Sequence, residues 1–408
     1  MMINTYNKVA QFFRKYAKYV FSALIVLFPL FVFYSSPIPK ISIIEFISLI
    51  FIIFAIIFDF KKYKIACSIV PFFVVILINL ITTCWISPSN LLIDSVFTGL
   101  RLLFYYFLLL FFALEYFDYK IALKILVITS VIVSVYGIIQ FIFALFKIYL
   151  YNYIPLLPRM LGVGSDTYSD IVNNAKAGYT FRMCSLFREP AHFATYLLVP
   201  AALLLFKKET TIFSHIFGFF FIVVSIATLS SLGIVISGLL IIAYIVFMLF
   251  QKKIKLWQKF LLIGIIATTI ALFFVLGGWN YFSQKTFGKE FEFKHIFSDS
   301  RLTVIPLLFE RTIPEVIFGS GLAEIGIFMA TFVRATYCLG LVGLIGLSIS
   351  TALLTLEVKK RSIIVLFASF LINCIASEIA FGAFALIYLS FILSDKEENV
   401  VLFKKIIL

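Results

Sequence analysis

The chain has 408 residues, of which 63% are apolar and only 13% charged. An ordinary soluble domain is about 45–50% apolar and about 25% charged, and a water-soluble fold of this length could not cover so much apolar surface. That excludes a soluble enzyme, a disordered chain and a fibre, and makes the net charge of +14 (34 basic against 20 acidic residues) a topology signal rather than a nucleic-acid surface.

A bilayer core takes about 20 apolar residues of helix. Taken in chain order at that length, the sequence predicts twelve spans, near 19–34, 41–58, 65–86, 91–114, 125–146, 190–206, 211–229, 233–250, 260–276, 336–356, 362–377 and 379–394. The last two are short and could form one re-entrant pair. The first twenty residues, with Phe12, Phe13 and Tyr16 beside Lys and Arg, read as a basic interfacial helix. The long apolar run after them has no A-x-A site, so the first span reads as an uncleaved anchor. Five cysteines without a C-x-x-C pair suggest neither a disulfide framework nor a metal cluster; Cys67 and Cys374 lie in apolar runs, and Cys184 reads as a lone thiol.

Lys and Arg set the orientation. Of the 34 basic residues, 21 fall in the termini and the loops around 61–64, 120–124, 207–208, 252–259 and 359–361, which places both termini in the cytoplasm. Two long loops, 147–189 and 277–335, then face outward from a single membrane domain spanning 1–408. They hold Arg159, Arg182, Arg188, Arg301, Arg311 and Arg334, six of the nine arginines of the chain. The cytoplasmic side is marked almost wholly by Lys. A guanidinium grips phosphate oxygens at two points, whereas an ammonium is a solvated point charge, so the outward arginines call for a reason other than topology. Acidic neighbours such as Glu310, Glu315 and Glu324 offer a plainer one for some of them, the ordering of the loop.

Ionisable residues inside the spans are few: Glu45, Asp94, Arg101 and Glu378. There is no HExxH, His/Cys cluster, Walker A loop or GxSxG, so metal-assisted and ATP-driven chemistry have no support. The strongest constellation is Phe181-Arg182-Met183-Cys184-Ser185-Leu186-Phe187-Arg188-Glu189-Pro190-Ala191-His192-Phe193-Ala194, running straight into a span. Pro190 suits a first helical position, which puts Glu189 at the cap. The helix start offers free N–H groups and partial positive charge, and Arg182 and Arg188 add two guanidinium groups, together an anion seat at headgroup depth. Glu189, a carboxylate among cations, is the first candidate proton acceptor and His192 the second. The plainer alternatives are a cap held by Arg188 and a histidine making one polar contact. In the second loop, Asp299 or Ser300 could cap a helix carrying Arg301 and Arg311, ten residues apart, and Ile317-Phe318-Gly319-Ser320-Gly321 reads as a tight turn packed by an aromatic.

At these residues the chain resembles the O-antigen polymerase (Wzy-type) and ligase superfamily of polytopic membrane glycosyltransferases. The first loop ends in a pattern like R-x-x-S-x-F-x-E-P-x-x-F-A, here Arg182, Ser185, Phe187, Glu189, Pro190, Phe193 and Ala194, after Gly178-Tyr179. A Ser-rich hairpin follows, Leu229-Ser230-Ser231-Leu232-Gly233. The second loop reads S-R…P…F-G-x-G at Ser300, Arg301, Pro314, Phe318, Gly319 and Gly321, and Tyr337, Leu339, Gly340 and Gly343 resemble the return into the membrane. The chain departs from the pattern at Ala191, where Ser is usual, and lacks the R-x10-G spacing, with Phe193 and Leu322 at those positions. Where ligases tend to carry His, it has Arg334, which favours the polymerase.

The resemblance implies an all-α, lipid-sugar glycosyltransferase (GT-C-like) architecture in the inner membrane of a bacterial cell. It implies an enzyme that joins oligosaccharide repeat units carried on undecaprenyl diphosphate, for O-antigen (lipopolysaccharide), capsule or exopolysaccharide biosynthesis. No cofactor or metal is implied, because the donor is already an activated diphosphate; a flippase and a chain-length regulator are the implied protein partners. The implied substrate-binding residues are Arg182, Arg188, Arg301, Arg311, Arg334 and Arg159. Two other readings stand beside it: a ligase that moves a finished glycan from the same carrier to another acceptor, and a transporter or flippase of lipid-linked sugars, which would need charged residues along an interior path.

Overall fold

The computed structural model describes residues 2–59, 64–87, 90–160, 167–178, 180–208, 211–250, 307, 310–322 and 329–395. Among them it is all-helical. The helices are α1 (Met2–Phe31), α2 (Ile43–Phe58), α3 (Val70–Ile86), α4 (Leu92–Phe111), α5 (Ala113–Tyr116), α6 (Tyr119–Leu145), α7 (Thr167–Lys176), α8 (Pro190–Leu205), α9 (Ile212–Ala227) and α10 (Ser231–Leu249). After residues outside the described set come α11 (Ile313–Phe318), α12 (Thr331–Glu357), α13 (Arg361–Ala376), a 3-10 turn at Ile379–Phe381 and α14 (Phe384–Leu393). The only extended pairing among the described residues is two isolated bridges, Tyr34 with Arg159 and Ser35 with Ser42.

Four of these helices, α4, α6, α10 and α12, are long and apolar enough to cross a membrane; α2, α3, α8, α9, α13 and α14 are shorter apolar helices. The expected span 260–276 lies outside the described residues. The basic N-terminal segment is not a separate interfacial helix. No Gly or Pro interrupts the chain before Pro29, so it runs unbroken into the apolar part as one 30-residue helix. The first long loop, 147–189, contains α7.

The core is centred on α8 and α14. From Phe193 to Leu205, and from Phe384 to Leu393, every residue is buried. A helix that is apolar all round belongs in the middle of a bundle, and α8 is surrounded by α6, α9, α10 and α13 while α14 packs on α1, α4 and α13. The peripheral helices show the opposite pattern. Their outward faces carry bare apolar side chains such as Ile81, Trp85, Ile93, Ile132 and Val223, a surface suited to hydrocarbon rather than water.

Contacts between helix ends sort into two faces. On one, Arg14 Nε reaches Asp59 Oδ1 at 3.1 Å, the Tyr116 hydroxyl reaches Asp59 Oδ2 at 2.9 Å, Arg361 donates to the carbonyls of Phe206 and Lys207, and Lys360 pairs with Asp395 at 2.9 Å. On the other, Ser35 N–H donates to Pro158 O, Ile154 N–H to the Tyr34 hydroxyl, and Thr331 N–H to Ser377 O. This second face holds the start of α8 and the second-loop return.

Candidate functional site

Pro190 is the first residue of α8, and Glu189 precedes it in extended conformation (φ −137°, ψ 152°). Its carbonyl accepts from Phe193 N–H, as a cap residue should, but its side chain makes no cap hydrogen bond. Among the described residues, none forms an ion pair with that carboxylate. The first-turn N–H groups of Ala191 and His192 have no carbonyl within the helix to donate to. The His192 ring is stacked between Phe33 (centroids 6.2 Å apart) and Phe384 (5.4 Å), and its Nδ1 is buried with no hydrogen-bond partner among the described residues.

The segment entering α8 alternates. Phe181, Met183, Cys184, Ser185 and Phe187 are buried, while Arg182 and Arg188 are half-buried on the other side of the strand of chain. The anchor is Ser185, held at φ 54°. Gln140 of α6 grips it at two points, accepting from Ser185 N–H at 2.8 Å and donating to Ser185 O at 3.1 Å. The Ser185 hydroxyl donates to Val133 O at 2.6 Å, and Asn152 Nδ2 donates to Phe187 O at 3.1 Å. Arg182 Nε is buried without a hydrogen-bond partner among the described residues. Burial pushes the Cys184 thiol well above its ordinary range; the nearby Arg182 guanidinium opposes that rise and the Glu189 carboxylate adds to it.

The second-loop arginines are placed differently. Arg311 donates to the Tyr337 carbonyl and, at 2.9 Å, to the Ser320 hydroxyl, with its guanidinium 3.5 Å over the Tyr337 ring. Arg334 pairs with Glu378 and lies over Phe381. Arg159 lies 4.6 Å over the Tyr153 ring, its backbone bridged to Tyr34. Arg301 and the stretch after it, including the expected helix to Phe309, lie outside the described residues apart from Leu307. So do His295 and Glu324.

The expected tight turn is present. α11 ends in Gly319 (φ 80°) and Gly321 (φ 95°), and it lodges against a break in α12 at Gly340 (φ 70°). The two glycines face each other so closely that a methyl group on Gly340 would overlap the Ile317 carbonyl, and one on Gly319 the Cys338 carbonyl. A broken helix frees carbonyls that must find donors. Cys338 O accepts from Gly321 N–H at 3.1 Å and from Asn79 Nδ2 at 3.1 Å, and the same amide donates to Phe318 O at 2.9 Å.

The two loops approach each other across residues 377–384. Phe384 stacks on His192, and Phe381, three residues earlier, lies under Arg334. Beside α11, an apolar groove of about 480 Å³ runs between α3 and α4, lined by Leu80, Ile81, Trp85 and Leu100 among others. Gln140, Asn152 and Asn79 escape a reading that searches for ionisable groups. The available signal was an amide inside, or beside, a long apolar run, which hydrocarbon tolerates only when it has partners.

No family model matches this chain, no curated protein matches it, and no solved structure matches it.

Proposed function

We propose that the chain is a Wzy-type polysaccharide polymerase. It joins undecaprenyl-diphosphate-linked oligosaccharide units at the outer face of a bacterial inner membrane, with both termini cytoplasmic and a GT-C-like architecture. One observation carries the reading. At the start of α8, Arg182 Nε and His192 Nδ1 are buried without a hydrogen-bond partner among the described residues, the Glu189 side chain makes no cap bond, and Arg188 and Glu189 lie within electrostatic reach of His192. Elsewhere on that face Glu45, Asp94, Arg101, Arg311, Arg334 and Glu378 all have partners within the chain. Charge that is left unpaired at a helix N-terminus is suited to an anion from outside.

In this reading Arg182, Arg188 and the N–H groups of Ala191 and His192 hold the donor diphosphate. The acceptor hydroxyl oxygen bonds to the donor's anomeric carbon as the bond from that carbon to the diphosphate oxygen breaks. The hydroxyl proton passes to Glu189, or to His192 in its place, and the electron pair leaves on the diphosphate, where the guanidinium groups stabilise it. Arg311 and Arg334, being engaged, shape the second loop rather than grip the leaving group; Arg301 remains a candidate for the second diphosphate. The groove between α3 and α4 offers a bed for a polyprenyl tail. Arg182→Ala should abolish chain growth at normal protein level in a deletion strain complemented with the variant. Long polysaccharide retained in that strain would overturn the assignment. A ligase would instead leave long lipid-linked polymer accumulating when the gene is deleted.

A further inference from the structure

The geometry points to Gln140 as the positioning residue of the α8 site, acting through Ser185 on the arginines that flank it. Gln140 is fully buried in the outer part of α6. Its amide bridges the N–H and C=O of Ser185, with N–H to Oε1 at 2.8 Å and Nε2–H to O at 3.1 Å, and Nε2 also donates to Tyr151 O at 2.9 Å. Both amide N–H groups and the amide oxygen are thereby engaged with loop backbone.

Ser185 needs such a grip. At φ 54° it sits where a residue with a Cβ rarely rests, so the turn persists only if its surroundings impose it. Arg182 lies three residues before this pivot and Arg188 three after. A shift of the Ser185 peptide therefore moves both guanidinium groups relative to Glu189, which is fixed by the start of α8. The same amide also secures Tyr151, so one side chain ties both ends of the first loop, 151 and 185, to one turn of α6. Tyr136, on that helix, donates to the same Tyr151 carbonyl at 2.6 Å.

The claim that this positioning matters for transfer rests on the proposed function; the claim that Gln140 holds the loop does not, and the two are read separately. Cys184, buried beside Ser185, reports the loop. In a chain with Cys67→Ser and Cys84→Ser, maleimide labelling of Cys184 should be slow. Gln140→Leu, which keeps the volume and removes all three hydrogen bonds, should raise its labelling rate at least about tenfold in the folded protein, and lower the rate of polymer formation about a hundredfold. Gln140→Glu supplies the sign. A protonated carboxyl can still accept from Ser185 N–H and donate to Ser185 O, whereas the carboxylate has lost the donor. Burial raises the pKa of such a carboxyl, so relative to wild type at each pH this variant should behave nearly normally near pH 6 and like Gln140→Leu near pH 8. The titratable groups around it are Tyr136 on α6 and, on the loop, Cys184 with Arg182 and Glu189 acting on it. Cys184 protection unchanged in Gln140→Leu, or Gln140→Glu without pH dependence, overturns the positioning role. Cys184 exposed while polymer forms at the wild-type rate overturns its link to transfer. An inactive wild type, or an active Arg182→Ala, is instead a failure of the polymerase reading and leaves the labelling result to decide on Gln140.

Discussion

Glu189 stands at a helix start without acting as its side-chain cap. A carboxylate that caps would be tied to the N–H groups of the first turn; this one leaves both itself and those N–H groups available. Glu189→Gln keeps the shape and removes the proton acceptor. It should lower transfer about 10²- to 10⁴-fold while the lipid-linked unit still binds, as measured by rate and by binding on the same membranes; full activity would exclude Glu189 as the base. His192→Phe tests the second candidate with little disturbance, since the ring keeps its stack between Phe33 and Phe384. At this scale the sequence was informative about the start of α8, because Arg, Glu and Pro act through local chemistry. It was silent on which arginines are engaged. That Arg334 meets Glu378, 44 residues on, and that Arg311 lies on Tyr337 are tertiary facts with no local signature.

α12 shows what an element conveys beyond its residues. The sequence predicts one span at 336–356, with Arg334 in the loop before it; the helix begins earlier, at Thr331, so that Arg334 is helical, and the break at Gly340 is invisible in the hydropathy. Gly319 was legible in a tight turn and Gly340 in a glycine-rich return; their face-to-face contact was not, because it depends on α11 reaching back to the helix. Gly340→Ala would place a methyl group on the Ile317 carbonyl at a positive φ. The expected result is a loss of roughly 2 kcal/mol or more of stability, seen as a lower melting temperature of the purified protein. Asn79→Leu removes the Asn79 donations to Phe318 O and Cys338 O, leaving the Phe318 carbonyl without that partner and the Cys338 carbonyl with Gly321 N–H alone, a cost of about 1–3 kcal/mol. A melting temperature unchanged in Asn79→Leu would show that Gly321 alone suffices at the break.

For the molecule as a whole, the charged residues described within the bundle are paired. Arg101 Nε meets Glu45 at 2.9 Å, Tyr105 donates to the same carboxylate at 2.7 Å, Lys40 lies 3.5 Å from Asp94, and Glu378 is taken by Arg334. Among the described residues these are pairs at one end of the bundle, and a transporter driven by such a carboxylate would need it free to change partners. Glu45→Gln should therefore leave chain growth in place; its complete loss in a well-folded variant would bring the transporter back. That the described residues are helical was readable because a period-free apolar run admits few structures; their lengths were not, since only four helices are long enough to cross a membrane and the expected span 379–394 is a 3-10 turn followed by the ten-residue α14. That α8 occupies the middle was not readable, since it is less apolar than its neighbours α9 and α10.

The interruption of α12 has a mechanical implication. A continuous helix transmits tilt from end to end as a rod; one severed at Gly340 does not. The segment bearing Arg334 therefore takes its position from Glu378 and the α11 turn, independently of the remaining turns, which are seated on α3.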